Sequence, residues 1–356
     1  MKLINMVKVN FVLFALLVLS GLSYSQNVYD GFLQDFFLGR QPSTKAEAMG
    51  RGLVACPEYD FSSWYNPATL GLSDLVTANI SYMDHSYVRN ADYFNLSVTY
   101  NAGKYGAFGL NRYQNNMGII LAGDEMKATL YTLNYANQFI KNFYAGVNFS
   151  ILDAHMPAND GSSGLYQTLF TMDLGLLKVF QIQNTQSTTQ KLSIGTAFYN
   201  LLNPKYTAAD PNQPEPLPVT FKLGACYNIQ YSKISKPFEL KTLDFLVYAE
   251  VEDLLNTKYN TAIKTGCEVD LYEFVSVRLG YYTQNINDYG ISTNRSTQSQ
   301  FTYGFGIELP LTKLAKGQIP LSFRLDYANL KPPLFYDNQT VASFNSVSFS
   351  MRWANL

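Results

Sequence analysis

The feature that most limits how this chain can fold is an alternation of apolar and polar residues with a period of two, which recurs from Val76 to Trp353. Successive side chains of a β-strand point to opposite faces, so each alternating stretch predicts a strand with one apolar face. Fourteen stretches can be counted, at residues 76–84, 92–102, 104–112, 126–137, 141–152, 167–180, 190–201, 217–229, 242–252, 261–270, 273–284, 300–309, 319–329 and 344–353. Membrane-spanning strands need about 9–11 residues, and single-chain bacterial barrels have even strand numbers. The pattern predicts an all-β fold, a 14-stranded transmembrane antiparallel β-barrel.

The last stretch, Phe344–Trp353, is the expected barrel-closing strand. Its apolar face carries Val347, Phe349, Met351 and Trp353, and its polar face carries Ser346, Ser348, Ser350 and Arg352. A final strand that ends on an aromatic residue is typical of outer-membrane barrels, in which the last strand pairs with the first. The alternative for this segment alone is an edge strand of a soluble β-sandwich.

The connections between the predicted strands tend to alternate in length, as barrel topology requires when outer loops are long and periplasmic turns are short. Long polar connections lie at 113–125, 153–166, 202–216, 285–299 and 330–343, and tight turns lie near 103, 138–140 and 271–272. The connections 85–91 and 253–260 are shorter than this pattern prefers. With the N-terminus in the periplasm, most of the long loops fall on the outer side.

Composition supports a membrane exterior. Only 15% of the residues are charged and 47% are hydrophobic, whereas about 25% charged residues is usual. The 27 tyrosines suit aromatic girdles at the two membrane interfaces. A net charge of −1 without basic clusters argues against nucleic acid as a partner and leaves outer-membrane lipids as the expected surroundings.

Charged residues of the predicted strands fall on the polar faces, which must point into the lumen because a charge at the lipid midplane costs about 2–4 kcal/mol. These residues are expected to pair with each other or with the plug, and structural ion pairing is favoured over chemistry. The candidate lumen charges are Glu250, Glu252, Lys264, Glu268, Arg278, Arg324 and Asp326.

The chain begins with a predicted signal peptide at residues 1–25. A basic start is followed by a short apolar core at 11–19 and by Ser23-Tyr24-Ser25 before Gln26, which is the arrangement of a cleaved export signal. The apolar core is too short for a transmembrane helix. We therefore expect export to the bacterial outer membrane, with cleavage near Ser25/Gln26.

Residues 26–75 do not alternate and are predicted to form an N-terminal hatch, or plug, ahead of a barrel at 76–356. Gly50 and Gly52 permit tight backbone geometry, and Asn66-Pro67 signals a turn or a helix start. Short apolar pieces broken by turns are suitable for a segment that sits in the lumen. The alternative is a plain N-terminal arm.

Candidate catalytic and metal-binding residues are scarce. The three cysteines are far apart in sequence, show no metal-binding spacing, and are interpreted as small buried residues. His85 and His155 are the two histidines, and neither belongs to a nucleophile signature that would support covalent catalysis. We expect no enzymatic activity, no catalytic residue, no metal and no cofactor.

Two N-terminal segments and one mid-chain region resemble a known family. Residues 46–52 (AEAMGRG) and 64–70 (WYNPATL) are similar to the N-terminal signature of the PorV/PorQ family, relatives of the fatty-acid transporter FadL. Residues 195–204 and 217–224 look like a mid-barrel strand, loop and next strand of that family. Thr69 and Arg51 depart from the usual pattern, in which Gly follows Asn-Pro-Ala and the glycine pair is uninterrupted.

The resemblance implies a FadL-type barrel of fourteen strands, with Gly50, Gly52, Asn66, Pro67 and Ala68 in the hatch motif. It further implies a component of the type IX secretion system that binds or shuttles cargo at the cell surface. The implied partners are type IX translocon or attachment components and the C-terminal domains of cargo, which the loops 153–166, 202–216 and 285–299 could bind. The alternative is a FadL-like transporter of a hydrophobic small-molecule ligand.

Overall fold

The structure, a computed structural model, describes residues 33, 36–37, 41–57, 60–84, 92–121, 124–156, 165–206, 215–232, 242–255, 261–287, 295–330 and 344–353. Within these residues, fourteen strands form one closed antiparallel barrel in which each strand pairs with its neighbours in the chain and the last pairs with the first. The predicted fold class and strand count are therefore confirmed.

The barrel strands are β1 Val76–Asp84, β2 Asp92–Asn101, β3 Ala107–Leu121, β4 Asp124–Ile140, β5 Phe143–Met156, β6 Leu165–Asn184, β7 Thr188–Tyr199, β10 Thr220–Tyr231, β11 Leu243–Leu254, β12 Thr261–Leu271, β13 Val275–Asn287, β14 Arg295–Leu309, β15 Leu321–Leu330 and β16 Phe344–Trp353. Between β7 and β10 a small two-stranded sheet pairs β8 Lys205–Tyr206 with β9 Glu215–Pro216. The helices are α1 Thr44–Ala48, α2 Ser62–Tyr65 and α3 Leu311–Leu314, and 3-10 turns lie at Pro67–Leu72 and Gly103–Tyr105.

The closing strand β16 lies between β15 and β1, as the sequence predicted. Phe349 is opposite Ile80 on β1 and Leu325 on β15. We call the end of the barrel at which β1 finishes, at Asp84, the loop end, and the end at which β16 finishes, at Trp353, the turn end. The short turn between β4 and β5 lies at the turn end.

The outer surface of the barrel is apolar. Along β13, for example, Val277 is 52% exposed and Leu279 is 59% exposed, whereas their neighbour Arg278 is completely buried. A continuous apolar surface of this kind is suited to hydrocarbon rather than to water. No helix among the described residues is long and apolar enough to cross a membrane.

Several strands are longer than the alternation predicted. The predicted loop 113–125 is largely strand, because β3 continues to Leu121 and pairs with β4 from Asp124 onwards. The sequence hides this extension since Gln114, Asn115 and Asn116 break the alternation. A backbone ladder does not depend on apolar side chains, so a strand can continue where its two faces are no longer chemically different.

Candidate functional site inside the barrel

The lumen is occupied by residues 41–57 and 60–75 together with Leu33, Phe36 and Phe37, which we call the interior segment. Helix α1 begins after Ser43, whose Oγ accepts a hydrogen bond from the Ala46 amide at 3.2 Å. Glu47 is fully buried, and its carboxylate accepts from the Gln41 amide at 2.8 Å and from Arg51 Nε at 2.9 Å. These contacts give the buried carboxylate of Glu47 partners on both of its oxygens.

Gly50 and Gly52 lie against the wall of the barrel. Gly50 has a φ of +82°, and its amide donates to Thr302 Oγ1 at 2.9 Å. The Gly52 amide donates to the Tyr248 hydroxyl at 3.1 Å, and that hydroxyl in turn donates to the Met49 carbonyl. Glycine is required at position 50 because a Cβ there would meet the backbone of Tyr281 and of Thr265 and because φ is positive.

Asn66, Pro67 and Ala68 form the second contact with the wall. Asn66 Nδ2 donates to the Val54 carbonyl at 2.8 Å and to the Leu176 carbonyl of β6 at 3.0 Å. Its Oδ1 accepts from the Ala68 amide at 3.0 Å and caps the 3-10 turn, in which Pro67 takes the first position. One asparagine therefore links two parts of the interior segment to the barrel.

The wall carries glycines where the interior segment approaches most closely. Three pairs lie opposite each other on neighbouring strands, Gly146–Gly175, Gly195–Gly224 and Gly266–Gly280. A Cβ on any of the six would collide with the interior segment, and we call this set the glycine belt. The glycine belt lets the backbone of the segment lie directly on the backbone of the wall.

The candidate lumen charges all face inwards and divide into two clusters. In the first, Glu252 accepts from Lys222 at 2.9 Å and from Lys264 at 2.7 Å. Glu250 instead binds the interior segment, because its Oε2 accepts from the Leu53 amide at 2.7 Å and from the Val54 amide at 2.8 Å.

The second cluster surrounds Arg278. Its guanidinium pairs with Glu268 at 2.5 Å and with Asp326 at 2.7 Å, and Arg324 Nε pairs with Asp326 at 3.1 Å. Lys45 of α1 joins this cluster through Glu268 at 2.5 Å. Pairing and hydrogen bonding are what make so many buried charges tolerable, since an isolated buried ion is very costly.

Sequence reasoning left five members of these clusters out of the candidate lumen charges: Lys45, Lys222, Asp270, Glu308 and Arg352. Arg352 is expected on the polar face of β16, and strand alternation likewise places Lys222 with Gly224, Asp270 with Glu268, and Glu308 with Gly306 on inward faces. Lys45 had no such signal, because it lies on the interior segment, where period-two alternation is absent.

At the loop end the inner wall formed by β3 to β6 is apolar. Tyr113, Leu130, Leu152 and Leu169 stand opposite one another along β3 to β6. Together with the aromatic residues that cover them, they form what we call the apolar chamber. The residues that cover it are Phe36, Phe37, Phe61 and Trp64 of the interior segment.

Aromatic contacts fill the apolar chamber. Trp64 lies edge-on to Tyr113, with ring centroids 4.5 Å apart, and is stacked with Phe37 at 6.4 Å. A residual cavity of about 30 Å³ remains beside Trp64 and Tyr113, which is close to the room needed for a water molecule. The apolar chamber is therefore filled by the chain's own aromatic side chains, and the residual cavity also borders polar groups such as Asn148 and Asp173.

Below the apolar chamber the wall is polar again. Asn111, Asn134, Asn148 and Asp173 form a hydrogen-bonded ladder across β3 to β6, with donor–acceptor distances of 2.6, 2.7 and 3.1 Å. The Asn148 side chain also donates to the Ser63 carbonyl of the interior segment at 3.0 Å. This amide ladder separates the chamber from the turn end.

Two polar cavities lie beyond the interior segment at the turn end. One, of about 310 Å³, is lined by charged groups that include Lys45, Glu268 and Arg324. The other, of about 210 Å³, is lined by Asp60, Asn79 and Thr99 among others. Burial raises the pKa of the Asp60 carboxyl above its ordinary range.

The histidines and cysteines form no metal-binding group in the part of the chain that the structure describes. His155 is stacked on Tyr166 with ring centroids 4.0 Å apart, and His85 lies outside the described residues. Among the described residues, no group of three or more His, Cys, Asp or Glu side chains is arranged to hold a metal ion. Cys56 and Cys226 are buried, and Cys267 is partly buried.

No family model matches this chain, and no curated protein matches it. Solved structures similar to it include the CymD monoaromatic hydrocarbon channel, with 12% identity over 93% of this chain and 100% of that chain at a TM-score of 0.45. The toluene transporter TbuX of Ralstonia pickettii is 12% identical over 89% of this chain and 99% of that chain, with a TM-score of 0.44. A Pseudomonas aeruginosa FadL homologue is 10% identical over 87% of this chain and 97% of that chain, with a TM-score of 0.45. Each TM-score is below 0.5, so we draw no functional conclusion from these likenesses.

Proposed function

We propose that this protein is an outer-membrane barrel that takes up small hydrophobic molecules through the apolar chamber. The observation that carries the proposal is the apolar row of β3 to β6 at the loop end, which aromatic side chains of the interior segment cover. Leu130, Leu152 and Leu169 stand side by side on three neighbouring strands, so the row offers a continuous apolar surface to whatever lies against it. Apolar pockets with a few placed polar groups are the usual form of small-molecule sites.

The chain's own aromatic side chains stand where the ligand would bind. Phe36, Phe37 and Trp64 cover the apolar row, so a ligand would replace their contacts with its own. The exchange is favourable when the ligand buries a comparable apolar area, at about 25 cal/mol per Å². We therefore expect binding to be coupled to a rearrangement of these three side chains.

The amide ladder and the interior segment close the way from the apolar chamber to the turn end. A hydrophobic ligand would have to leave the polar groups of this ladder unsatisfied in order to pass, which costs free energy for each group. Transport through this barrel therefore requires a shift of the interior segment or an exit through the wall. The FadL relatives implied by the sequence resemblance support a transport role for this architecture.

The two tryptophans of the chain allow a direct test. Trp64 lines the apolar chamber, and Trp353 lies on the outer face at the turn end. A Trp353→Phe variant in lipid nanodiscs leaves Trp64 as the reporter, and a brominated medium-chain fatty acid serves as the quenching ligand. We expect saturable quenching of Trp64 fluorescence.

The matched control is the Trp64→Phe variant, in which Trp353 reports only the partition of the probe into lipid and should show quenching that does not saturate. A Leu152→Asn change in the Trp353→Phe background should weaken binding roughly 5–150-fold, since an unpaired buried polar group costs about 1–3 kcal/mol. Quenching of Trp64 that rises linearly with the probe, as in the control, would refute the chamber as a binding site.

A second candidate function comes from the sequence resemblance to the PorV/PorQ family. In this role the protein would act in type IX secretion and bind cargo C-terminal domains together with translocon or attachment components. The contact surface would be the loop end, where β8 and β9 form a small sheet. About half of the residues in the loops 153–166, 202–216 and 285–299, namely 157–164, 207–214 and 288–294, lie outside the described residues.

The two functions make opposite predictions for a strain that lacks the gene. Loss of export of proteins with type IX signals, with unchanged uptake of a hydrophobic compound, would favour the secretion role. Unchanged export with reduced uptake would favour transport. In either role we propose that the protein is not an enzyme, because neither histidine lies in a nucleophile signature of the sequence and His155 is stacked on Tyr166.

A further inference from the structure

Two of the three cysteines meet at the boundary between the interior segment and the barrel wall. Cys56 belongs to the segment and Cys226 to β10, and both side chains are buried in the same hydrophobic cluster. Within this cluster the two thiol groups are neighbours. Residues 170 positions apart in sequence are thus brought together by the insertion of the segment (226 minus 56).

The surroundings hold both cysteines in place. The Cys56 amide donates to the Leu53 carbonyl at 3.1 Å, which closes a turn just after the two amides bound by Glu250. Cys226 lies two residues after Gly224, on the same inward face of β10, and Val54 packs against Gly224. The segment and the strand therefore meet along several residues and not at one atom only.

The third cysteine cannot take part. Cys267 on β12 stands opposite Val247 of β11 and Leu279 of β13, which are 37% and 59% exposed on the outer surface. Its side chain therefore faces lipid, whereas its neighbours Gly266 and Glu268 face the lumen. The chain thus offers one pair of cysteines for a cross-link and one matched control.

We propose that Cys56 and Cys226 are an oxidation site at which a disulfide attaches the interior segment covalently to β10. The oxidant is the disulfide of a thiol-oxidising protein of the exported compartment, and the reaction is thiol–disulfide exchange. The exchange takes place while the chain folds, because both thiols are buried once the segment lies in the lumen. One thiolate attacks that disulfide, and the second cysteine resolves the mixed disulfide. The Cys56–Cys226 bond forms, the oxidant's bond breaks, and the oxidant leaves with two thiols that carry the two protons.

The consequence is a segment that cannot leave the lumen as a whole. Residues before Cys56 and after it can still move, but the point at β10 stays fixed while the disulfide is intact. Any rearrangement during transport or secretion then takes place on either side of this anchor. The inference does not depend on which proposed function is correct.

The test counts cysteines that are held in disulfides. Cells that express the full chain are lysed directly into hot SDS with N-ethylmaleimide, which blocks all free thiols, buried or not. After removal of the reagent, the protein is reduced and labelled with maleimide-polyethylene glycol, and each label retards the band on a gel. We expect two labels on the wild type and on Cys267→Ser, and none on Cys56→Ser or Cys226→Ser.

The decisive samples are the wild type and Cys267→Ser, so a folding defect in the other two variants does not affect the result. Mass spectrometry of unreduced peptides should find residues 56 and 226 linked. No label on the wild type, or two labels that disappear in Cys267→Ser, would overturn the proposal. A single label would also overturn it, because it indicates a mixed disulfide with a small thiol.

Discussion

At the scale of single residues, the contact between the interior segment and the barrel depends on side chains that form hydrogen bonds with backbone groups. Asn66 satisfies two carbonyls and one amide, and Glu250 satisfies two amides of the interior segment. The interior segment has irregular backbone with many amide and carbonyl groups outside regular secondary structure, and each needs a hydrogen-bond partner when water is excluded. Polar side chains at these positions therefore replace the regular ladder that a strand would use.

Changing Asn66 to Asp separates the two tasks of this residue. An aspartate caps a helix start as well as asparagine does, but it cannot donate to the Val54 and Leu176 carbonyls. We expect the folded barrel to lose at least about 2 kcal/mol, because two buried acceptors lose their donor and face a carboxylate. Urea unfolding in lipid vesicles, followed by the heat-sensitive gel mobility of folded barrels, measures this loss.

The control for this change is Asn142→Asp in the turn between β4 and β5, where asparagine has a φ of +58° and aspartate is also tolerated. Its stability should stay within about 0.5 kcal/mol of the wild type. Equal stabilities of the two variants would show that the donor contacts of Asn66 contribute little.

At the scale of elements, each strand has to serve two different surfaces. Its outward residues face hydrocarbon, and its inward residues pack against the interior segment. The glycine belt shows how this is achieved, since removing side chains at Gly146, Gly195 and Gly280 makes room for backbone. The residues on the inward face of a strand therefore set both the polarity of the lumen wall and how closely the interior segment can approach that wall.

Gly146→Ala tests how closely the interior segment packs against β5. The added Cβ would collide with the backbone of Pro67 and Ala68, and overpacking of this kind costs about 1–3 kcal/mol. The matched control is Ala145→Val, the adjacent residue on the outer face of the same strand, which should change stability by less than about 0.5 kcal/mol. The same urea unfolding assay compares them, and a destabilised control with an unaffected Gly146→Ala would contradict the packing we describe.

The outer face of β16 tests whether the strand crosses lipid. Phe349 lies in the middle of the strand, and Trp353 lies at its turn end on the same face. Arginine at position 349 should cost about 2–4 kcal/mol, whereas arginine at position 353 should cost about 0–1 kcal/mol, because the penalty falls towards the interface. Similar costs at both positions, measured by refolding into vesicles, would rule out this placement of the membrane.

At the scale of the whole molecule, the barrel has an apolar outer surface and encloses its buried charged side chains. Arg278 and Asp326 are completely buried in the lumen. Cys56 of the interior segment and Cys226 of β10 meet at the wall. Fourteen strands enclose more space than wall side chains alone can fill, since about eight strands already reach that limit. The interior segment occupies part of that space, and we expect it to decide whether the barrel conducts.

Planar-bilayer recordings test this closure. We expect the wild type to pass little steady current, because the interior segment and its ion pairs fill the lumen. A variant that lacks residues 41–57 should show a stable conductance several times larger. Both proteins are first shown to be folded by heat-sensitive gel mobility, and equal currents from two folded barrels would mean that the segment does not close the pore.

Much of the fold was predictable from the sequence, but much less of the contact network was. Alternation identified all fourteen strands, while the lengths of β3, β4 and β6 were underestimated, since their polar ends lack a period of two. The inward direction of Glu268 and Arg324 followed from the same parity. Their partner Lys45 did not, because the interior segment has no period that relates it to the wall.

The sequence by itself determined which strand residues face lipid and which face the lumen, because successive side chains of a strand point to opposite faces. It also indicated that the chain closes on itself through β16. Only the tertiary structure decided that Glu250 binds backbone, that six glycines form a belt, that aromatic side chains of the interior segment cover the apolar row of β3 to β6, and that Cys56 meets Cys226. These contacts join residues far apart in the chain, and the path of the interior segment through the barrel sets them, not a local repeat.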